Sequence, residues 1–165
     1  MKVIPLTFKD CSNGNPCLNC TAPCCRVIMI PHKTPATFMD LDFIRYLLNF
    51  PRIEVAVSKS GEWLILIREV CRQFDQDSHS CKVHATNEQP FTCQYYNPYQ
   101  CWYKPNLAFT SPRDICILKR ETFEYWTQWV RLNEISEVIS APDFEESRKL
   151  LQEWDRQQLA IATEG

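Results

Sequence analysis

Residues 17–25 read Cys-Leu-Asn-Cys-Thr-Ala-Pro-Cys-Cys, so four cysteines stand within nine residues. The whole chain has ten cysteines in 165 residues. Thiols at this density are reactive, and a metal ion, an iron–sulfur cluster or disulfide bonds must hold them. The number and spacing of the cysteines therefore predict a domain that is organised by what its thiols bind.

The expected compartment argues against disulfide bonds. Residues 1–10 lack the apolar run of a signal peptide, because Pro5 and Lys9 interrupt it. No later stretch approaches the roughly 20 apolar residues that a membrane span needs. We therefore expect a cytoplasmic protein without membrane attachment, in which thiols stay reduced.

The charge balance and the aromatic residues limit the choice of partners. A formal net charge of −2 provides no basic field for nucleic acid or acidic lipid. Aromatic residues are frequent over residues 91–109, but Lys104 is the only basic residue among them. Phosphate binding needs more positive charge than this, so we expect the rings to shield a metal site rather than to stack on bases.

The apolar periodicity predicts both strands and a helix in the first half of the chain. Residues 27–30 are typical of a short strand, and residues 37–50 place their apolar side chains on one helical face. Residues 53–57 and 63–67 are two apolar runs separated by a turn containing glycine, which predicts a β-hairpin. The second strand of this hairpin ends shortly before Cys71.

The C-terminal part of the chain is predicted to be helical. Ser111 and Pro112 fit an N-cap and a first helical position, and an apolar stripe follows over residues 115–139. Pro142 ends this helix, and a second helix is expected over about residues 143–160. Two consecutive helices of this kind form an antiparallel helical hairpin.

These elements predict a small α+β protein. Residues 1–116 should form an irregular, metal-stabilised domain that contains the β-hairpin and the short helix. Residues 117–165 should form the helical hairpin and pack on that domain, because their tryptophans would otherwise face water. Residues 72–110 have little periodicity, and backbone of this kind is commonly organised by bound metal.

The spacing within the cysteine run indicates metal ligands. Cys17 and Cys20 have the spacing of a knuckle, in which two thiolates curl around one ion. Cys24 and Cys25 are adjacent, and neighbouring side chains diverge in extended backbone. We therefore infer that this pair serves two centres, or that one of its members is not a ligand.

The run Cys17-x2-Cys20-x3-Cys24-Cys25 resembles the CxxCxxCC motif of the YkgJ-type cysteine-cluster family, whose members are described as zinc- or iron-chelating domains. The order of the later cysteines is also similar, and the resemblance covers roughly residues 11–120. Three residues rather than two separate Cys20 from Cys24. In addition, His84 stands where the family usually has tyrosine, and Gln89 and Gln94 stand where it usually has arginine.

The resemblance implies eight metal ligands. They are Cys17, Cys20, Cys24, Cys25, Cys71, Cys81, Cys93 and Cys116. Eight thiolates fill two sites of four, and Zn²⁺ and an iron–sulfur cluster both accept four thiolates, so the choice of cofactor stays open. We expect Cys11 and Cys101 to be spare thiols, and His79 and His84 to be unnecessary as ligands.

The leading functional prediction is a metal-binding protein that holds zinc or an iron–sulfur cluster. One alternative is an iron–sulfur enzyme, because the cysteine cluster of the flagellin lysine methylases looks similar. Another is an adaptor that binds a protein partner through its helical tail. The sequence identifies no catalytic residue, cofactor pocket, substrate or oligomeric state.

Overall fold

The computed structural model describes residues 22–97, 101–103 and 114–164. Contacts divide the chain into two compact units. The cysteine unit comprises Met1–Arg26 and Val70–Ser111, and the sheet unit comprises Val27–Glu69 and Pro112–Gly165. The boundary predicted between residues 116 and 117 falls inside the sheet unit.

The prediction of an α+β fold is confirmed. In chain order the described elements are a 3₁₀ turn (Pro23–Cys25), β1 (Ile28–His32), α1 (Phe38–Leu47), β2 (Ile53–Ser58), β3 (Trp63–Ile67), β4 (Phe74–Asp75), β5 (Ser80–Cys81), α2 (Phe91–Gln94), β6 (Ile115–Leu118), α3 (Arg120–Thr127), β7 (Arg131–Leu132), β8 (Val138–Ser140) and α4 (Phe144–Glu164).

The sheet unit is built on an antiparallel sheet with the strand order β1-β3-β2-β6. The predicted β-hairpin is confirmed, because β2 and β3 pair from Ile53 opposite Ile67 to Val57 opposite Trp63. Gly61 in the connecting turn has a φ of 83°, which glycine adopts without strain. The strand predicted over residues 27–30 is also confirmed and lies at one edge of the sheet as β1.

Helices supply the apolar partners of this sheet. The helix predicted over residues 37–50 is confirmed as α1, and Thr37 caps it by accepting a hydrogen bond from the Asp40 amide. The buried core joins residues from α1, the sheet, α3 and α4. It comprises Leu41, Ile44, Leu48, Val55, Val57, Trp63, Leu118, Phe123, Trp126 and Leu150.

The predicted C-terminal helical hairpin is wrong. The apolar stripe over residues 115–139 was predicted as one helix, but it is divided between the strand β6, the short helix α3 and the two-stranded β7–β8 ribbon. The second predicted helix corresponds to α4. Ile115 and Leu118 lie on opposite faces of β6, and both are buried. A strand buried on both faces has a continuous apolar run, which periodicity alone does not distinguish from a helix. The predicted N-cap at Ser111 lies outside the described residues.

The C-terminal residues nevertheless complete the core of the sheet unit. The Trp126 side chain is only 1% exposed and packs edge-on against Trp63, with 5.5 Å between the ring centroids. Its Nε1 donates a hydrogen bond to Ser147 Oγ of α4 at 2.8 Å. Trp129, by contrast, is 54% exposed. Among the helices that the structure describes, none has the length and apolar character to cross a membrane.

The capping interactions of α1 predict a pH dependence of stability. Lys33 pairs with Asp40 at 2.6 Å, and the amides of Ala36 and Thr37 also donate to the Asp40 carboxylate. These contacts, with Lys33 first, lower the pKa of Asp40 to about 2 from its usual 3.8. A carboxylate whose folded-state pKa is lowered stabilises the protein above its unfolded-state pKa and loses this effect as the pH falls through the folded-state value.

We therefore expect Asp40→Asn to lower the free energy of unfolding at neutral pH. The difference from the wild type should shrink as the pH falls from about 4 towards about 2. Urea unfolding of both proteins across this range measures the difference. Asp155→Asn, on the exposed part of α4, is the control and should change little at any pH. A constant gap between the wild type and Asp40→Asn would contradict the assignment.

Candidate metal centre

The structure describes six of the eight predicted ligands, and these six do not share the same surroundings. Cys24, Cys25, Cys71, Cys81 and Cys93 belong to the cysteine unit, whereas Cys116 belongs to the sheet unit. Cys17 and Cys20 lie outside the described residues, as does Cys11. The seven cysteines that the structure describes form no disulfide bond with one another.

The Cys24–Cys25 pair lies in the 3₁₀ turn, where the Cys25 amide donates to the Ala22 carbonyl at 2.9 Å. The extended backbone assumed in the sequence analysis is therefore wrong for this pair. The Cys24 thiol donates a hydrogen bond to the Cys25 sulfur, which lowers the pKa of Cys25 and raises that of Cys24. The turn thus presents two adjacent sulfurs, of which Cys25 ionises first.

Cys71 is joined to this turn through the backbone. The Cys71 amide donates to the Cys25 carbonyl at 2.8 Å. This hydrogen bond connects two cysteine positions that are far apart in the sequence.

Cys81 is positioned by the small β4–β5 hairpin. Cys81 pairs with Phe74 across the hairpin, and the Phe74 amide donates to the Cys71 carbonyl at 3.0 Å. The connecting turn is closed by Asp75, whose carboxylate accepts from the amides of Asp77 and Ser78. Backbone hydrogen bonds therefore link Cys25, Cys71 and the hairpin that carries Cys81.

Cys93 lies in the single turn of α2, and two glutamine side chains fix the loop before it. Gln89 Oε1 accepts a hydrogen bond from the Ala85 amide at 2.8 Å, and Gln94 Nε2 donates to the Gln89 carbonyl at 2.6 Å. Gln89 is itself buried. These are the positions at which the YkgJ-type family usually has arginine, and here they hold backbone in place without adding charge.

Charge interactions connect these positions into one group, which we call the thiol cluster: Cys24, Cys25, Cys71, Cys81 and Cys93. Burial raises the pKa of Cys93, and the charges of Cys81, Cys71 and Cys24 raise it further. The charges of Cys71, Cys81 and Cys93 likewise oppose the ionisation of Cys25. Like charges that oppose one another's ionisation would be stabilised together by a cation among them.

The described thiols do not by themselves form a completed metal site. Over residues 22–97, 101–103 and 114–164, no group of three or more Cys, His, Asp or Glu side chains is arranged to hold a metal ion. The donor chemistry of the thiol cluster nevertheless fits zinc and iron, because both accept thiolates. The predicted ligands Cys17 and Cys20 are not among the described residues.

Cys116 has the surroundings of a core residue. It is 3% exposed in β6, opposite Val57 of β2. Burial raises its pKa to about 12, although the charge of Arg148 acts in the opposite direction. The side chains of His79 and His84 are exposed, and the His79 ring contacts Phe74 at 6.2 Å between centroids.

The cysteine unit combines a small core with strained backbone. Its buried residues in the described part are Pro23, Phe74, Val83 and Gln89. Ala22, His79 and Ala85 have φ values of 51°, 52° and 59°, which are unfavourable for residues with a Cβ atom. Such conformations persist where the surrounding structure holds them, and they are frequent at ligand clamps.

Sequence reasoning overlooked the surroundings of Cys101, which it treated as a spare thiol. The Tyr96 hydroxyl donates a hydrogen bond to Cys101 Sγ at 2.8 Å. Tyr96, Trp102 and Tyr103 are half-buried, and the Tyr103 ring contacts the rings of the other two. The signal in the sequence was the aromatic run that flanks Cys101 on both sides.

Comparison of the chain with protein-family models, with curated proteins and with solved structures finds no match in any of the three. The resemblance to the YkgJ-type family therefore stays a prediction that depends on the cysteine pattern.

The hydrogen bond between Gln89 and Ala85 gives a local test of this arrangement. Gln89→Ala removes the acceptor of the Ala85 amide, which costs about 1 kcal/mol for a neutral hydrogen bond. We expect this amide to exchange with deuterium about five times faster, because each 1.4 kcal/mol is roughly a factor of ten. Glu88→Ala, which alters a neighbouring exposed side chain, is the control. Unchanged exchange at Ala85 in the Gln89 variant would refute the role of this side chain.

Proposed function

We propose that this chain is a cytoplasmic metal-binding protein in which clustered cysteine thiolates hold zinc or an iron–sulfur cluster. The observation that carries the proposal is the thiol cluster, whose five cysteines come from four segments of the chain and interact through their charges. The resemblance to the YkgJ-type family, in the order and spacing of the cysteines, supports the same function.

The electrostatics of the thiol cluster support a bound cation. A thiolate is the form of cysteine that ligates metal, and the charges of Cys71 and Cys81 oppose the ionisation of both Cys25 and Cys93. The pKa values of Cys24 and Cys93 are raised, which favours their protonated forms. Metal binding would release these protons and remove the repulsion, so metal affinity should increase with pH.

The small core of the cysteine unit supports a structural role for the metal. Each of the three residues with positive φ costs about 1–2 kcal/mol, and few buried apolar side chains are available to offset this cost. Structural zinc contributes roughly 10–16 kcal/mol in small zinc-binding peptides at neutral pH. Metal binding of this kind would therefore outweigh the backbone strain by a wide margin.

The proposed ligands are the five residues of the thiol cluster together with Cys17 and Cys20. The last two complete the CxxC knuckle of the sequence pattern. Cys116 is left out, because it is buried in β6 among apolar neighbours. When bound, zinc would stabilise the fold and an iron–sulfur cluster could also transfer electrons, and the thiolates named here suit both.

The two alternatives stay predictions. An iron–sulfur enzyme would need substrate-binding residues, and the described residues offer no specific observation in its favour. An adaptor would need an accessible apolar surface, and the end of α4 carries Leu159 and Ile161, which are 67% and 66% exposed. The metal-binding proposal is independent of either role.

The metal content of the full-length protein tests the proposal. Anaerobically purified wild-type protein should contain zinc, or iron with acid-labile sulfide and visible absorption. Cys93→Ser should lose most of this metal, because Cys93 belongs to the thiol cluster. Thr92→Ala, at the adjacent exposed position in α2, is the matched control and should keep the wild-type metal content.

Elemental analysis, a sulfide assay and absorption spectroscopy on the same preparations give the result. Wild-type protein that is folded, contains no metal and takes up neither zinc nor iron would overturn the proposal. Equal metal content in the Cys93 and Thr92 variants would remove Cys93 from the ligand set.

A further inference from the structure

We propose that this protein forms a symmetric dimer through the outer face of α1, with the two copies of the helix antiparallel. The outer face consists of Met39, Phe43, Tyr46 and Phe50, and all four residues belong to the sheet unit. None of them is a proposed metal ligand. The inference therefore concerns a second property of the chain and does not depend on the metal-binding function.

The first argument is that α1 is apolar on two opposite sides. One side faces the core through Leu41, Ile44 and Leu48, which are buried. The residues of the outer face have the spacing i, i+4, i+7 and i+11, which places them on the opposite side of a helix with 3.6 residues per turn. A surface helix ordinarily has charged and polar side chains on that side.

The side chains of the outer face form a continuous row of rings. Phe43 and Tyr46 stack with 6.3 Å between their ring centroids, and Tyr46 meets Phe50 edge-on at 5.5 Å. His32 of β1 extends the row by stacking on Phe43 at 6.1 Å. Rings that hold one another in place form a surface prepared for binding, because little side-chain entropy is lost when a partner covers them.

The second argument is the size of this surface. The exposed fractions are 69% for Met39, 49% for Phe43, 56% for Tyr46 and 47% for Phe50. At roughly 200 Å² for each side chain, the outer face exposes about 450 Å². Monomers rarely expose an apolar patch of more than a few hundred Å². Two copies that share this face would bury about 900 Å² before their flanking side chains are counted, which is the size of a weak specific interface.

The third argument is that the outer face is complementary to itself. Its alternating steps of four and three residues are those of the a and d positions in a coiled coil. In an antiparallel pair with the twofold axis at the middle of the face, Phe43 of one copy is opposite Tyr46 of the other, and Met39 is opposite Phe50. Each apolar side chain therefore meets an apolar side chain, as a symmetric interface requires.

Charges beside the outer face favour the antiparallel arrangement. Asp42, which pairs with Arg45 of its own helix, is half-exposed near the start of α1. At the other end, Arg120 donates to Asn49 Oδ1. Asp42 and Asn49 are seven residues apart and so flank the face on the same side. An antiparallel pair brings Asp42 of one copy next to Arg120 of the other, whereas a parallel pair would bring the two Asp42 carboxylates together.

Sedimentation equilibrium of the full-length protein tests the dimer, with a reductant present so that no disulfide bond links the copies. The wild type should show a monomer–dimer equilibrium at micromolar concentrations. Phe43→Glu should raise the dissociation constant of the dimer by roughly thirtyfold or more, because it puts a charge at the centre of the interface. Ile139→Glu, at an equally apolar and exposed position in β8, is the matched control and should dimerise as the wild type does.

Charge reversal and cross-linking test the orientation of the helices. Arg120→Glu should weaken the dimer about tenfold, because it places a like charge next to Asp42 of the other copy. Adding Asp42→Lys to this variant should recover most of the loss. A photo-reactive p-benzoylphenylalanine in place of Met39 should form cross-links to the segment around Phe50 of the other copy.

The outcomes decide between this dimer and other uses of the outer face. Wild-type protein that stays monomeric at its highest soluble concentration would overturn the inference and leave the face to a different protein. A dimer that Phe43→Glu does not weaken would also overturn it. Cross-links between the two Met39 positions would exclude the antiparallel arrangement. Circular dichroism of Phe43→Glu should match that of the wild type, because the Phe43 ring lies outside the core.

Discussion

The opposition of neighbouring cysteines to one another's ionisation is the constraint on which the cysteine unit depends. The charges of cysteines from other parts of the chain oppose the ionisation of Cys25 and of Cys93. The chain brings these groups together through backbone hydrogen bonds, including the one from Cys71 to Cys25, although their ionised forms repel one another. A bound cation would turn this repulsion into the main attraction within the unit, and this is the physical basis of the proposed function.

The sheet unit is stabilised in a different way. It has an apolar core, to which α1, the central strands, α3 and α4 all contribute, and the Trp126–Ser147 hydrogen bond satisfies the buried indole. The cysteine unit has few buried side chains in its described part and holds Ala22, His79 and Ala85 in strained conformations. The sheet unit would therefore keep its fold whether or not metal is bound, whereas the fold of the cysteine unit would depend on the metal.

The elements that the sequence predicted correctly have local signals, and the errors concern elements that depend on distant residues. The β-hairpin and α1 follow from a turn glycine at Gly61 and a capping pair at Thr37 and Asp40. β6 was predicted as helix because its four apolar residues have no periodicity, and its pairing with β2 joins residues about sixty positions apart. The cysteine order does not indicate which thiol lies in a strand and which accepts a hydrogen bond from a tyrosine.

Hydrogen–deuterium exchange of the full-length protein, before and after removal of its metal, tests the central claim most directly. The account predicts that amides of the cysteine unit, such as those of Cys71, Lys82 and Cys93, lose protection when the metal is removed. Amides of β2 and β3 should keep theirs, because the apolar core of the sheet unit persists. Protection that is unchanged in the cysteine unit after complete loss of metal would contradict the claim that bound metal organises it.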